Sequence, residues 1–254
     1  MTEDVLLGPH AVLEALRAGR RNIERILLTR ERPDSRIAEI MRLARVSGVP
    51  VKQEARGRLG ELARGLAHQG VLAVVSEVVY EDPFGLVGRI KARSPLPLLV
   101  LVDGIQDPQN LGAIVRTGEA AGADGLFISQ HRAVGITPAV ARASAGAVEH
   151  LPMARVSGLP AFLGWLKDQG IWILGADPGA GRSLYDVDLS VPLALVIGGE
   201  HRGLTALVRK RCDVLASIPM RGQVASLNAA ASAAVFLFEV RRQRDSASHS
   251  PGNQ

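Results

Sequence analysis

Three short blocks put polar side chains where an apolar run gives way to a turn and then to a helix-like run. Residues 107–117 read Asp-Pro-Gln-Asn-Leu-Gly-Ala-Ile-Val-Arg-Thr and carry Asn110 and Arg116. Residues 195–204 read Leu-Val-Ile-Gly-Gly-Glu-His-Arg-Gly-Leu and carry Gly198, Gly199 and Glu200. Residues 218–228 read Ile-Pro-Met-Arg-Gly-Gln-Val-Ala-Ser-Leu-Asn and carry Ile218, Ser226, Leu227 and Asn228. Such junctions gather backbone N–H groups and side chains at one edge of a sheet, where α/β proteins bind ligands. Each residue also has a plainer reading. Asn110 suits a helix N-cap, and Ser226 or Asn228 suits another. Arg116 fits the solvated face of a helix. Gly198 and Gly199 fit a tight turn, and their missing Cβ atoms would equally let the backbone approach a ligand.

The surrounding pattern predicts the elements that hold these blocks. From residue 98 onward, strands and helices alternate. Strands are expected at 98–102, Gly125–Ser129, 148–153, 171–174, 193–197 and 214–218. Helices are expected at 111–121, Pro138–Ala143, Leu159–Asp168, Ala206–Arg211 and 227–241. This alternation predicts a mostly parallel sheet with helices on both faces. Residues 1–76 read as a smaller α/β unit, with helices at 11–18, 37–46 and 59–66 and strands at 25–29 and Val71–Val75. Residues 77–97, dense in Pro and Gly, read as a linker that could hold a short helix. Residues 98–244 form the second domain, and the polar residues 245–254 are expected to be a disordered tail.

Composition narrows the function classes. The chain has 254 residues, 47 % of them hydrophobic, which is the balance of a globular protein. Its apolar runs are too short to span a bilayer. The N-terminus lacks the charge order of a signal peptide. The single Cys excludes an internal disulfide framework and fits a reducing cytoplasm. The six His residues show no metal-ligand spacing, so no metal is expected. A net charge of +5 and a sequence pI of about 10.0 suit a polyanion partner.

Taken together and in this order, the three blocks resemble the SPOUT class of S-adenosyl-L-methionine-dependent RNA methyltransferases. They are most like its 2′-O-ribose branch, the TrmH and RlmB families. Periodicity alone leads to an open Rossmann-like sheet; the resemblance implies instead a C-terminal α/β domain with a deep trefoil knot. It also implies that Asn110, Arg116, Glu200, Ser226 and Asn228 form the active site. Gly198, Gly199 and backbone groups of Ile218 and Leu227 would hold the cofactor. The resemblance brings Arg116 to the ribose 2′-hydroxyl. It would act there either as a general base or, since a guanidinium rarely loses its proton, as a forked donor that positions oxygen and phosphate. Glu200 would orient Arg116 or favour the sulfonium charge. The implied assembly is a homodimer with the active site near its interface.

The N-terminal segment resembles the same family through residues 8–16, including His10, and through His68-Gln-Gly70. There the family carries a small ribosomal-protein-like α/β domain that binds the RNA substrate. The implied activity is methylation of a guanosine ribose in 23S rRNA. A tRNA guanosine or an rRNA adenosine target in the same family stays open, as does a non-catalytic RNA-binding assembly factor. A nucleotide-dependent oxidoreductase is disfavoured, because Asp103-Gly104-Ile105-Gln106 follows the strand where Gly-x-Gly-x-x-Gly would stand.

Overall fold

The computed structural model describes residues 4–29, 35–200, 202–224 and 226–249. It divides into two compact units, residues 1–79 with 135–150, and residues 80–134 with 151–254.

The first unit begins with β1 (Asp4–Leu7), α1 (Pro9–Ala18), β2 (Ile23–Thr29), α2 (Ser35–Val46), β3 (Val51–Glu54), α3 (Arg56–Leu62) and β4 (Val71–Val75). Its four-stranded sheet has the order β1-β4-β2-β3, with only β2 and β3 parallel. Leu7, Leu27, Leu59 and Leu72 lie in one buried cluster. Two strands escape the sequence pattern. β1 is four residues long, and β3 (Val-Lys-Gln-Glu) is an edge strand with largely exposed side chains. The helix expected at 59–66 is shorter and earlier, as α3.

The second unit contains α4 (Pro83–Arg93), β5 (Leu98–Asp103), α5 (Pro108–Ala120) and β6 (Gly125–Ser129). The chain next contributes α6 (Pro138–Ala143) and a 3-10 turn at Ala147–Glu149 to the first unit. It resumes the second unit with β7 (Met153–Val156), α7 (Leu159–Asp168), β8 (Trp172–Ala176), β9 (Leu193–Gly198), α8 (Ala206–Arg211), β10 (Val214–Ala216) and α9 (Ala229–His249). The strand expected at 148–153 is therefore that 3-10 turn followed by β7.

Residues 135–150 are tied into the first unit by a buried charge cluster. Arg21, with its side chain 5 % exposed, contacts Glu149 at 3.2 Å and Asp4 at 2.6 Å, and also donates to the Ser76 carbonyl. Burial pushes the Glu149 carboxyl above its ordinary pKa, and the Arg21 charge offsets that only in part.

The second unit's sheet is six-stranded and parallel throughout, in the order β10-β8-β9-β5-β6-β7. β5 and β6 are buried at every residue, as continuous apolar runs covered on both faces should be. From β5 the chain moves to β6 and β7 on one side; β9 leads to β10 on the other. The crevice at the C-terminal ends of β5 and β9 is therefore a topological switch point, where open α/β sheets bind ligands. Asp103 pairs with Gly198 there.

One expectation is made specific here and one is corrected. The short helix that the linker stretch could hold is α4, because Pro83 occupies the first turn after the N-cap Asp82, whose side chain accepts from Gly85 N at 2.7 Å. The tail expected from residue 245 is in part the end of α9, which runs to His249; residues 250–254 lie outside the described residues. Before that end, Arg244 reaches the carbonyls of Leu96, Pro97, Leu189 and Val191, and Gln243 bonds Val187 and Leu189. These contacts anchor the helix beyond its apolar face.

Candidate active site

The C-terminal ends of β5 and β9 open onto two adjacent cavities in the second unit. Gly199, Glu200, Arg202 and Gly203 line both, so the turn after β9 is their shared wall. The turn is tight. Gly203 N donates to the Gly199 carbonyl at 2.9 Å, and Gly203 has φ +59°. A Cβ on Gly198 would fall 2.2 Å from the Gly203 carbonyl carbon. A Cβ on Gly199 would fall 2.4 Å from the Gly104 carbonyl oxygen. Neither position admits a side chain, so these glycines let two loops meet.

The first cavity has a volume of about 620 Å³, within the range of small-molecule sites. Its apolar side includes Ile197, Leu204, Ile218, Met220, Leu227 and Phe236. Its polar side includes Asp177, Ser226 and Asn228. Asp177 is 6 % exposed and faces Arg209 at 2.7 Å, though without hydrogen-bond alignment, while its other oxygen accepts from Gly179 N. Asn228 caps α9: its side-chain oxygen accepts from Ala231 N at 2.7 Å. The plainer reading of Asn228 and its place in the cavity therefore both hold. Ser226 has no hydrogen-bond partner among the described residues.

Asn110 is not a cap. Asp107 takes that position, accepting from Gln109 N at 2.9 Å with Pro108 behind it, and Asn110 sits inside the first turn of α5. Its amide is thereby free to donate to Glu200 Oε1 at 2.8 Å. Glu200 Oε2 accepts from Gln106 N at 3.4 Å. Burial raises the Glu200 pKa, but the Asn110 amide and the backbone N–H groups of Glu200, Gln106 and Asp107 together lower it below the ordinary value. The carboxylate is thus ionised at neutral pH, beside the electropositive start of α5.

Arg116 lies apart. It is exposed on α5, lines neither cavity and has no ion-pair or hydrogen-bond partner among the described residues. Gly198, Gly199, Glu200, Ile218, Ser226, Leu227 and Asn228 all line the first cavity, and Asn110 reaches its wall through Glu200.

Several lining residues were not singled out from the sequence. Asp103 ends β5, 8 % exposed, and accepts from Thr205 N at 2.9 Å. A carboxylate closing an apolar strand was a legible signal for it. Gln106, Arg132, Asp177, Arg202 and Arg209 also line the cavities and had no comparable signal.

Comparison with known proteins places the chain in a family. Residues 97–238 match the SpoU rRNA methylase family, and residues 5–81 match the family described as RNA 2′-O ribose methyltransferase substrate binding. An uncharacterized tRNA/rRNA methyltransferase of Synechocystis is 43 % identical over 95 % of this chain, which spans 63 % of that protein's length. The 23S rRNA (guanosine-2′-O-)-methyltransferase RlmB of Coxiella burnetii is 37 % identical over 94 % of this chain and 96 % of its own. The SpoU methyltransferase AviRb of Streptomyces viridochromogenes, solved with the cofactor AdoMet, superposes with a TM-score of 0.78 at 30 % identity. That superposition covers 96 % of this chain and 91 % of AviRb. An α/β methyltransferase with a parallel sheet and a small attached unit is the class so defined. The chain belongs to the SpoU rRNA methylase family, and it is an RNA methyltransferase.

Proposed function

We propose that this chain methylates the ribose 2′-hydroxyl of a guanosine in 23S rRNA, using S-adenosyl-L-methionine held in the first cavity. The carrying observation is the Asn110–Glu200 hydrogen bond at the wall shared by the two cavities. It sets an ionised carboxylate beside a cavity of the right size, lined by apolar side chains that suit an adenine and by polar groups that suit a ribose. When bound, the cofactor supplies an electrophilic methyl group on a sulfonium.

The chain's own residues do the rest. Gly198 and Gly199 let the turn approach the bound molecule, and Ile218 and Leu227 flank its base. Ser226 and Asn228 close the floor at the start of α9. Glu200 favours positive charge at the reacting centre. Arg116, with its forked donors, holds the 2′-oxygen and an adjoining phosphate in line with the methyl group, and positioning of this kind removes much of a barrier.

We infer a homodimer in which a second copy brings Arg116 to the site, a reading supported by the position of Arg116 outside both cavities. Exposed Phe238 on α9 supports such an interface. We further infer the deep trefoil knot of the family in the second unit, RNA docking by the first, and action in the cytoplasm. Among the described residues no helix is long and apolar enough to cross a membrane. Methyl transfer to unmodified 23S rRNA, mapped to a single 2′-O-methylguanosine, is the test. Label on a tRNA, or on an adenosine, would replace the target and keep the chemistry.

A further inference from the structure

We propose that the second cavity is the subsite for the target nucleotide of the RNA, with Arg132 and Arg202 gripping a backbone phosphate beside the methylated ribose. This rests on the function proposed above and adds the residues that bind the RNA strand at the reaction centre.

The second cavity has a volume of about 560 Å³, and four charged residues, Asp103, Glu200, Arg132 and Arg202, are among those that line it. The two carboxylates are committed. Asp103 is buried and bound to Thr205 N, and Glu200 accepts from Asn110 and Gln106. The two guanidiniums are exposed and have no ion-pair or hydrogen-bond partner among the described residues. Arg209, by contrast, is spent on Asp177 in the first cavity. The lining therefore divides into an acceptor side and a free cationic side. A nucleotide needs that division, since its ribose hydroxyl donates and its phosphate is anionic. A guanidinium fork matches phosphate oxygens two at a time.

The backbone holds Arg132 in place. Its φ is +57°, a left-handed conformation that a residue with a Cβ adopts at a cost. Hydrogen bonds on both sides maintain it. Gly104 N donates to Ser129 Oγ at 3.1 Å, Ser129 Oγ donates to the His131 carbonyl at 3.3 Å, and Val134 N donates to the Ile105 carbonyl at 2.9 Å. Ser129 is 5 % exposed, so this link is shielded from water. The loops after β5 and β6 are thus joined, with Arg132 at the joint. Glycine would sit there without strain, and the chain carries arginine.

The test uses the whole 254-residue chain and unmodified 23S rRNA transcribed in vitro. Affinity is measured across a salt series with S-adenosylhomocysteine present, and turnover is measured separately. For Arg132→Gln, the slope of log affinity against log salt should fall by about 0.7–0.9, one phosphate contact. Its KM for RNA should rise about tenfold while kcat changes far less, because a phosphate contact positions without reading sequence. S-adenosyl-L-methionine affinity should not move. Arg132→Lys should keep the slope and recover only part of the affinity. Arg132→Gly relieves the backbone and removes the guanidinium, so it must show the same loss in a folded protein. Arg202→Gln should lower the slope similarly.

Wild-type slope and KM in Arg132→Gln and Arg132→Gly would overturn the subsite while leaving the methyltransferase reading intact. A loss confined to cofactor affinity would also overturn it, since Arg132 would then serve the methionine carboxylate. Absence of RNA binding and methyl transfer in the wild type would overturn the proposed function, and the subsite with it.

Discussion

The Asn110 amide donates a 2.8 Å hydrogen bond to Glu200 Oε1, joining the first turn of α5 to the turn after β9. This bond, with backbone donors from the same two loops, holds Glu200 below its ordinary pKa of 4.5 against the opposing effect of burial. A lowered carboxylate pKa means that the folded state favours the ionised form. Its contribution is complete above the ordinary value and is lost as pH falls through the lowered one. Turnover should therefore show no acid limb from Glu200 between neutrality and pH 5. Glu200→Gln should reduce kcat by about 10–100-fold with little change in melting temperature. An unchanged kcat in Glu200→Gln would remove the carboxylate from the mechanism.

Arg116 is expected to act without supporting the fold, because it is exposed and unpartnered among the described residues. Arg116→Ala should abolish methyl transfer while cofactor affinity and melting temperature stay near wild type. If a second copy supplies Arg116, mixing Arg116→Ala chains with the impaired Glu200→Gln chains should raise turnover to about a quarter of wild type through randomly formed dimers with one intact site. No recovery on mixing would place Arg116 in the same chain as the Glu200 it serves, or outside the site.

Gly199 has no room for a side chain, since a Cβ would meet the Gly104 carbonyl oxygen at 2.4 Å. Gly199→Ala should cost on the order of 1–3 kcal/mol, the range of overpacked sites. It should also weaken S-adenosyl-L-methionine binding, as seen by calorimetry. Gly179→Ala is the control, where the nearest atom would lie at 3.4 Å. Equal cofactor affinity in both variants would contradict the role given to the turn.

The buried Asp4–Arg21–Glu149 cluster is expected to hold residues 135–150 in the first unit. Arg21→Met leaves two carboxylates facing each other without a counter-charge and should cost about 3–5 kcal/mol in denaturant unfolding. Because Glu149 is raised above 4.5, its share of stability is present below that value and lost as pH rises through the raised one. The stability of the wild type relative to Glu149→Gln should accordingly fall with rising pH. A pH-independent difference would contradict the shift.

Much of this architecture was legible in the chain. The strand–helix alternation after residue 98 announced the parallel sheet, and residues of the second and third blocks line the first cavity. What escaped notice has physical reasons. Asn110 reads as a cap because Asn caps well, but Asp107 followed by Pro108 is the stronger start signal. α4 was legible only as a short helix that the stretch could hold, because Pro83 opens a helix as readily as others end one. β3 has an exposed edge face and so no apolar run. The Asn110–Glu200 bond spans 90 residues of sequence, and the left-handed backbone at Arg132 follows from loop contacts, so neither has a local pattern to read.

The most direct test of the central claim is methyl transfer from labelled S-adenosyl-L-methionine to unmodified 23S rRNA, followed by mapping of the modified nucleotide. The account predicts a single 2′-O-methylguanosine, formed by the wild type and not by Arg116→Ala. Label on a base instead of a ribose, or no label on any RNA despite cofactor binding, would contradict it.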